Sequence, residues 1–180
     1  MKYKLLSACV LAGVAMASQQ AFAADGTINF TGQIQATTCA INGGTSGANN
    51  FTIALPSALS TQLDAAGKVA GRTSFQIALT GCPSTATSVH TFYEAGATTD
   101  ASTGRLNNMT SGGAANVQIQ LLNSDASVIK AGFSDSLQNS KSVALSSNAA
   151  TLTYYAEYYA TGATTAGAVT SSVAYTIVYN

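Results

Sequence analysis

The stretch SSVAYTIVYN sets Val173, Tyr175, Ile177 and Tyr179 at every second position, separated by the smaller Ala174, Thr176 and Val178. A period of two with β-branched and aromatic content predicts a half-buried strand. The pattern recurs upstream. GTINFTGQI puts Ile28, Phe30 and Ile34 on one side, and SFQIALTGC puts Phe75, Ile77 and Leu79 on one face. NFTIAL, VHTFYEAG, ANVQIQLLN, SVALS and TLTYYAEYYATG also read as strands. Clusters such as GGTSGANN and TSGGAAN between them read as turns. LSTQLDAAGKVAG has room for one short helical turn, which Gly67 and Gly71 weaken. No fixed-period repeat and no sustained helical period occur. Roughly eight short strands joined by Gly-rich turns predict an all-β sandwich.

The start of the chain stands apart from this pattern. Lys2 and Lys4 precede the apolar run LLSACVLAGVAMA, and Ala21–Ala23 forms a small-x-small cleavage site. Residues 1–23 therefore read as an export signal and are excluded from the fold. Removing them leaves Lys68, Arg72, Arg105, Lys130 and Lys141 against seven Asp and Glu, a net charge of about −2. Charged residues make up only 8% of the sequence. Ser, Thr, Asn, Gln and Gly must then supply the polar surface. No basic patch exists, which argues against nucleic acid as a partner. So little charge favours association, which a protein packed beside copies of itself tolerates. Cys9 leaves with the signal, so an exported chain keeps the pair Cys39 and Cys82, read as a disulfide. With no Trp in the sequence, an antibody-type Cys–Trp–Cys core is excluded.

Candidate chemistry is sparse. His90, the one histidine, lies in a strand-like stretch with no nucleophile motif beside it, and reads as solvated or packed. Asp64, Asp100, Asp125 and Asp135 lack the spacing of a calcium loop and read as turn residues. Glu94 and Glu157 fall in unrelated strands, which argues against a paired acid and base. In YYAEYY, Tyr154 and Tyr158 share a parity with Ala156 and are expected to face inward. Tyr155 and Tyr159 are expected on the outside or against a neighbouring molecule. Neither a catalytic site, a metal site nor a cofactor is expected. The Asn-x-Ser/Thr matches at Asn29, Asn50 and Asn108 carry no weight in a chain rich in Asn and Thr.

Both ends of the mature chain resemble subunits of chaperone–usher fimbriae of the type 1 pilus kind. Gly26, Ile28, Phe30, Gly32 and Ile34 ahead of Cys39 fit the N-terminal run of that family, and Phe75, Ile77 and Leu79 ahead of Cys82 fit its second cysteine. Gly167, fourteen residues from the end, and the penultimate Tyr179 fit its C-terminal marks. The resemblance implies an incomplete immunoglobulin-like sandwich that lacks its last strand and is completed by a donor strand from another subunit. Residues 24–30 would be the donor extension, carrying Gly26, Ile28 and Phe30, and residues 31–180 the pilin domain. Gly167, Val173, Tyr175, Ile177 and Tyr179 would form the acceptor groove and the strand that binds a periplasmic chaperone. An outer-membrane usher would then exchange that chaperone for the next subunit, building a homopolymer on the cell surface that supports adhesion. A minor or linker subunit, a secreted carbohydrate-binding sandwich using surface tyrosines, and a small exported hydrolase are the competing readings.

Overall fold

The two longest alternating stretches become the two longest strands of the computed structural model, which describes residues 38–42 and 49–180, all within one compact unit. These are β2 (Val69–Thr80) and β8 (Ala150–Ala160), which pair antiparallel, Ile77 opposite Leu152 and Phe75 opposite Tyr154. Around them β1 (Ala40–Ile41) adds to β2, and β5 (Val117–Asn123) adds to the far side of β8. The outer edge of β5 carries two short strands in succession, β4 (Leu106–Asn107) and β6 (Val128–Ile129). A second sheet has the order β7 (Val143–Ala144), β3 (Ser88–Tyr93) and β9 (Tyr175–Tyr179).

The core lies between the two sheets. Ile77, Leu79, Leu121, Leu152 and Tyr154 point in from the larger sheet, and Val89, Tyr93 and Ile177 from the smaller. Burying each such side chain contributes about 1.5–3 kcal/mol. The inward parities expected for Ile77, Leu79 and Tyr154 are the observed ones.

A bulge breaks the β2–β8 ladder between Ala70 and Thr73, where Gly71 adopts φ +68°. The extra residue turns Arg72 onto the outer face, where its Nε lies 2.8 Å from the carboxylate of Glu157. Glu157 is 2% exposed although it points outward. Gln120 donates to its other oxygen at 3.1 Å, and Arg105 donates to Gln120 at 2.9 Å. Arg105 also lies over the Tyr159 ring, 3.5 Å from its centroid. One row of side chains thus crosses β2, β8 and β5 and ends on the residue before β4.

Several elements differ from expectation. NFTIAL alternates, and Ile53 and Leu55 are half-buried, yet this stretch joins no ladder among the described residues. It runs as a wall along the side of the sandwich, and Pro56, which follows it, has no N–H to give. The helical turn expected near LSTQLD is a 3-10 turn at Ser60–Gln62. The four-residue α1 (Asp135–Gln138) is not expected from the sequence pattern and is held chiefly by one buried side chain. Gln138, fully buried, accepts from the Tyr93 N–H and donates to the carbonyls of Tyr93 and Phe133.

Cys39 and Cys82 form a disulfide between segments 43 positions apart, beside the β1–β2 pairing. Closing a loop of that size contributes roughly 4 kcal/mol through the unfolded chain. Cys82→Ser in the mature protein is expected to lower the unfolding free energy by about 2–5 kcal/mol, read by urea denaturation against the oxidised parent.

Candidate functional site

Strand β9 is hydrogen-bonded along one side only among the described residues. Asn180 N–H donates to the Ser88 carbonyl at 2.9 Å, Ser88 N–H donates back at 3.2 Å, and Glu94 N–H donates to the Ala174 carbonyl at 2.9 Å. In an antiparallel ladder these bonds fall on alternate residues. The backbone groups of Val173, Tyr175, Ile177 and Tyr179 therefore face the opposite edge, where no described strand pairs. Their side chains pack against the core, Ile177 buried and the other three half-buried.

The wall facing that edge is the stretch that joins no ladder. Phe51 lies 6.1 Å from the Tyr175 ring and 6.2 Å from the Phe75 ring, and Phe75 continues to Tyr154 at 5.7 Å. Two hydroxyls tie β9 to the far side. Tyr175 donates to the Asn49 carbonyl at 2.9 Å, and Tyr179 accepts from the Cys39 N–H at 3.1 Å. The penultimate tyrosine is thus bonded to the backbone of a disulfide cysteine.

The end of that stretch borders a cavity of about 310 Å³. Ser57 and Ala58 line one side, Ala166 to Val169 the other, and Leu63, Val117 and Tyr158 the floor. Gly167 sits in this wall with its backbone against the next loop. A Cβ there would lie 2.4 Å from the Ala114 nitrogen and 2.6 Å from the Gly113 carbonyl carbon. A Cβ on Gly113 would be equally confined, 2.4 Å from the Ala168 oxygen and 2.7 Å from the Thr110 Cβ. Asn108 joins the two segments with its whole carboxamide. Nδ2 donates to the carbonyls of Ala114 and Ala168, and Oδ1 accepts from the N–H groups of Thr110 and Thr170.

With this geometry the comparisons with known proteins agree. The family described as type-1 fimbrial protein, A matches residues 55–180. The chain belongs to the type-1 fimbrial protein family. It is 48% identical over 172 residues to the major fimbrial subunit SMF-1 of Stenotrophomonas maltophilia, covering 93% of this chain and 99% of that one. It is 44% identical over 170 residues to the F17 fimbrial protein of Escherichia coli, covering 92% and 93%. A solved chaperone–usher pilus shares the fold at a TM-score of 0.61 and 18% identity, covering 87% of this chain and 96% of that one. The protein is a structural subunit of a fimbria of this type, exported and carried on the cell surface.

The remaining candidate residues of this fimbrial subunit lie apart from the groove or serve the fold. His90 Nε2 lies 2.8 Å from Asp135 and joins α1 to β3. Asp100 accepts from Ser102, Thr103 and Gln118, and Asp125 from Ser127 and Lys141. The Ser102 hydroxyl and Gln118 amide hold the Asp100 carboxyl well below the usual range, and Lys141 and Ser127 do so for Asp125. Tyr159 does point outward, but the Arg105 guanidinium covers its ring, which removes it as a flat sugar platform. Among the described residues no three His, Cys, Asp or Glu side chains gather as metal ligands would. Gly26, Ile28 and Phe30 lie outside the described residues. Sequence reasoning gave Asn108 no role, because an isolated asparagine between turn residues carries no signal of four backbone partners.

Two measurements follow from this geometry. Gly167→Ala is expected to destabilise the subunit by more than 1 kcal/mol, because the Cβ meets backbone that has no room to yield, and thermal unfolding reads it. Burial raises the hydroxyls of Tyr158 and Tyr175, and burial followed by the neighbouring Tyr154 and Tyr175 raises Tyr93 furthest. The unfolded chain then ionises first, near pH 10, so this stabilisation is complete below that pH and lost above it. Tyr93→Phe is expected to move the alkaline unfolding midpoint upward, followed by circular dichroism across a pH series.

Proposed function

We propose that the subunit polymerises head to tail by strand addition, with residues 24–30 as the donor and the free edge of β9 as the acceptor. One observation carries the reading. A strand whose side chains belong to the core has hydrogen bonds on one side only among the described residues. Buried backbone groups require partners, and an edge of this kind is a template for another chain. The groove has what an extended peptide needs: a row of alternate backbone groups, apolar and aromatic side chains along its floor, and a cavity at the end of the wall that flanks it.

The magnitudes are adequate. Ile28 and Phe30 of an incoming strand would contribute about 1.5–3 kcal/mol each on burial. Each backbone bond along β9 would add a net 0.5–1.5 kcal/mol or so. Because the donor completes the acceptor's core, its departure amounts to partial unfolding, and the contact is long-lived for kinetic reasons. Donor and acceptor are different surfaces, so repetition gives an open filament. The same edge would have to be covered before assembly. A periplasmic chaperone lending a strand to Val173, Tyr175, Ile177 and Tyr179 meets that need, with an outer-membrane usher as the place of exchange. The shared fold with a solved chaperone–usher pilus supports these partners. The 48% identity to the major fimbrial subunit SMF-1 supports a repeated shaft subunit.

The mature protein alone is expected to aggregate or form oligomers. Adding the sequence DGTINF after Asn180 through a flexible linker is expected to yield a stable monomer with a higher thermal midpoint. Deleting residues 24–29 is expected to stop filament growth while leaving capture by the chaperone intact. An unmodified mature protein that is already monomeric, and as stable as the extended form, would overturn the reading.

A further inference from the structure

We infer that Asn108 is a positioning residue for strand uptake: it holds the cavity end of the groove in the shape that an incoming strand meets. This rests on the groove being the acceptor. The wall from Thr164 to Thr170 leads directly into Val173 and β9, so its position sets where the edge of that strand begins. Three backbone bonds join it to the neighbouring loop, Met109 N–H to the Thr170 carbonyl at 2.8 Å, Ala114 N–H to the Ala168 carbonyl at 3.0 Å and Thr165 N–H to the Ala115 carbonyl at 3.4 Å. Between those bonds Gly113 and Gly167 press backbone on backbone. Asn108 supplies what the interrupted ladder lacks. Its donors reach Ala114 and Ala168 at 2.9 and 3.0 Å, and its oxygen takes Thr110 and Thr170 at 3.1 and 3.0 Å.

Only a carboxamide carries two donors and a two-lone-pair acceptor on so short a stem. The other side-chain bonds between the two segments are single. The hydroxyls of Thr110 and Thr170 meet at 2.8 Å, and Ala115 N–H donates to the Thr165 hydroxyl at 2.9 Å. Without Asn108 the wall keeps its backbone bonds but loses the side chain that ties four backbone groups together, and an entering strand would have to order it during entry. A preformed wall removes that step, as preorganisation does in binding generally.

Asn108→Asp is the discriminating variant. It is nearly isosteric and keeps the bonds from Thr110 and Thr170, but it sets a carboxylate against the carbonyls of Ala114 and Ala168. The subunit–chaperone complex, isolated from the periplasm, is mixed with a labelled synthetic peptide of residues 24–36, and uptake is timed. The variant is expected to take up peptide at least tenfold more slowly, with the yield of the complex and its thermal midpoint preserved. Equal or faster uptake overturns the inference, as does slowing that only tracks a loss of complex. Failure of the parent complex to take up peptide overturns the acceptor reading itself. Hydrogen exchange on the parent complex gives an independent check. The amides of Thr110 and Thr170 are expected to be protected, and free exchange there would also overturn the role of Asn108.

Discussion

The last strand is held from one side. Its inward face supplies Ile177 to the core, and one row of backbone groups is engaged with β3, while the other row looks away from every described strand. That asymmetry organises much of the molecule. The wall from Phe51 to Ala58, which joins no ladder among the described residues, flanks that strand, and a chain of rings runs from Phe51 through Phe75 to Tyr154. The tyrosine hydroxyls that reach Asn49 and Cys39 hold the flank and the strand at a fixed separation. The disulfide therefore has a second consequence beyond chain entropy, since it fixes the position of the amide on which Tyr179 rests.

Much of the fold is legible in the sequence because long strands announce themselves. In β2, β5, β8 and β9 a period of two runs over five residues or more, and the side-chain parities inferred for Ile77, Leu79, Tyr154 and Ile177 are those observed. The elements that escaped are short. β4 and β6 have two residues each and exist because β5 has an edge to fill, which is a tertiary fact. The helix α1 depends on the buried amide of Gln138, a contact across 45 residues. NFTIAL shows the opposite failure: alternation reports which side is buried, and says nothing about whether a neighbour is present to complete a ladder.

The site was legible in a different way. Val173, Tyr175, Ile177 and Tyr179 follow from periodicity, whereas Gly167 was singled out only by resemblance, with no physical account attached. The structure gives that account as a near-contact with Ala114. Asn108 had neither signal. Its partners come from two loops, one adjacent in sequence and the other about sixty positions downstream, and no local pattern reports a side chain that stands in for missing backbone partners.

The meeting of Gly113 with Gly167 has a consequence for how this protein can vary. Where two side chains touch, growth of one can be offset by shrinkage of the other, and a lineage can drift through paired changes. Here both partners are already at the smallest size the genetic code offers; a side chain at Gly167 would meet main chain alone, and one at Gly113 would meet main chain and the Thr110 side chain. At Gly167 no side-chain replacement opposite it can compensate. Such a joint leaves little freedom to drift, and the loops around it are free to diverge only as far as they leave it untouched.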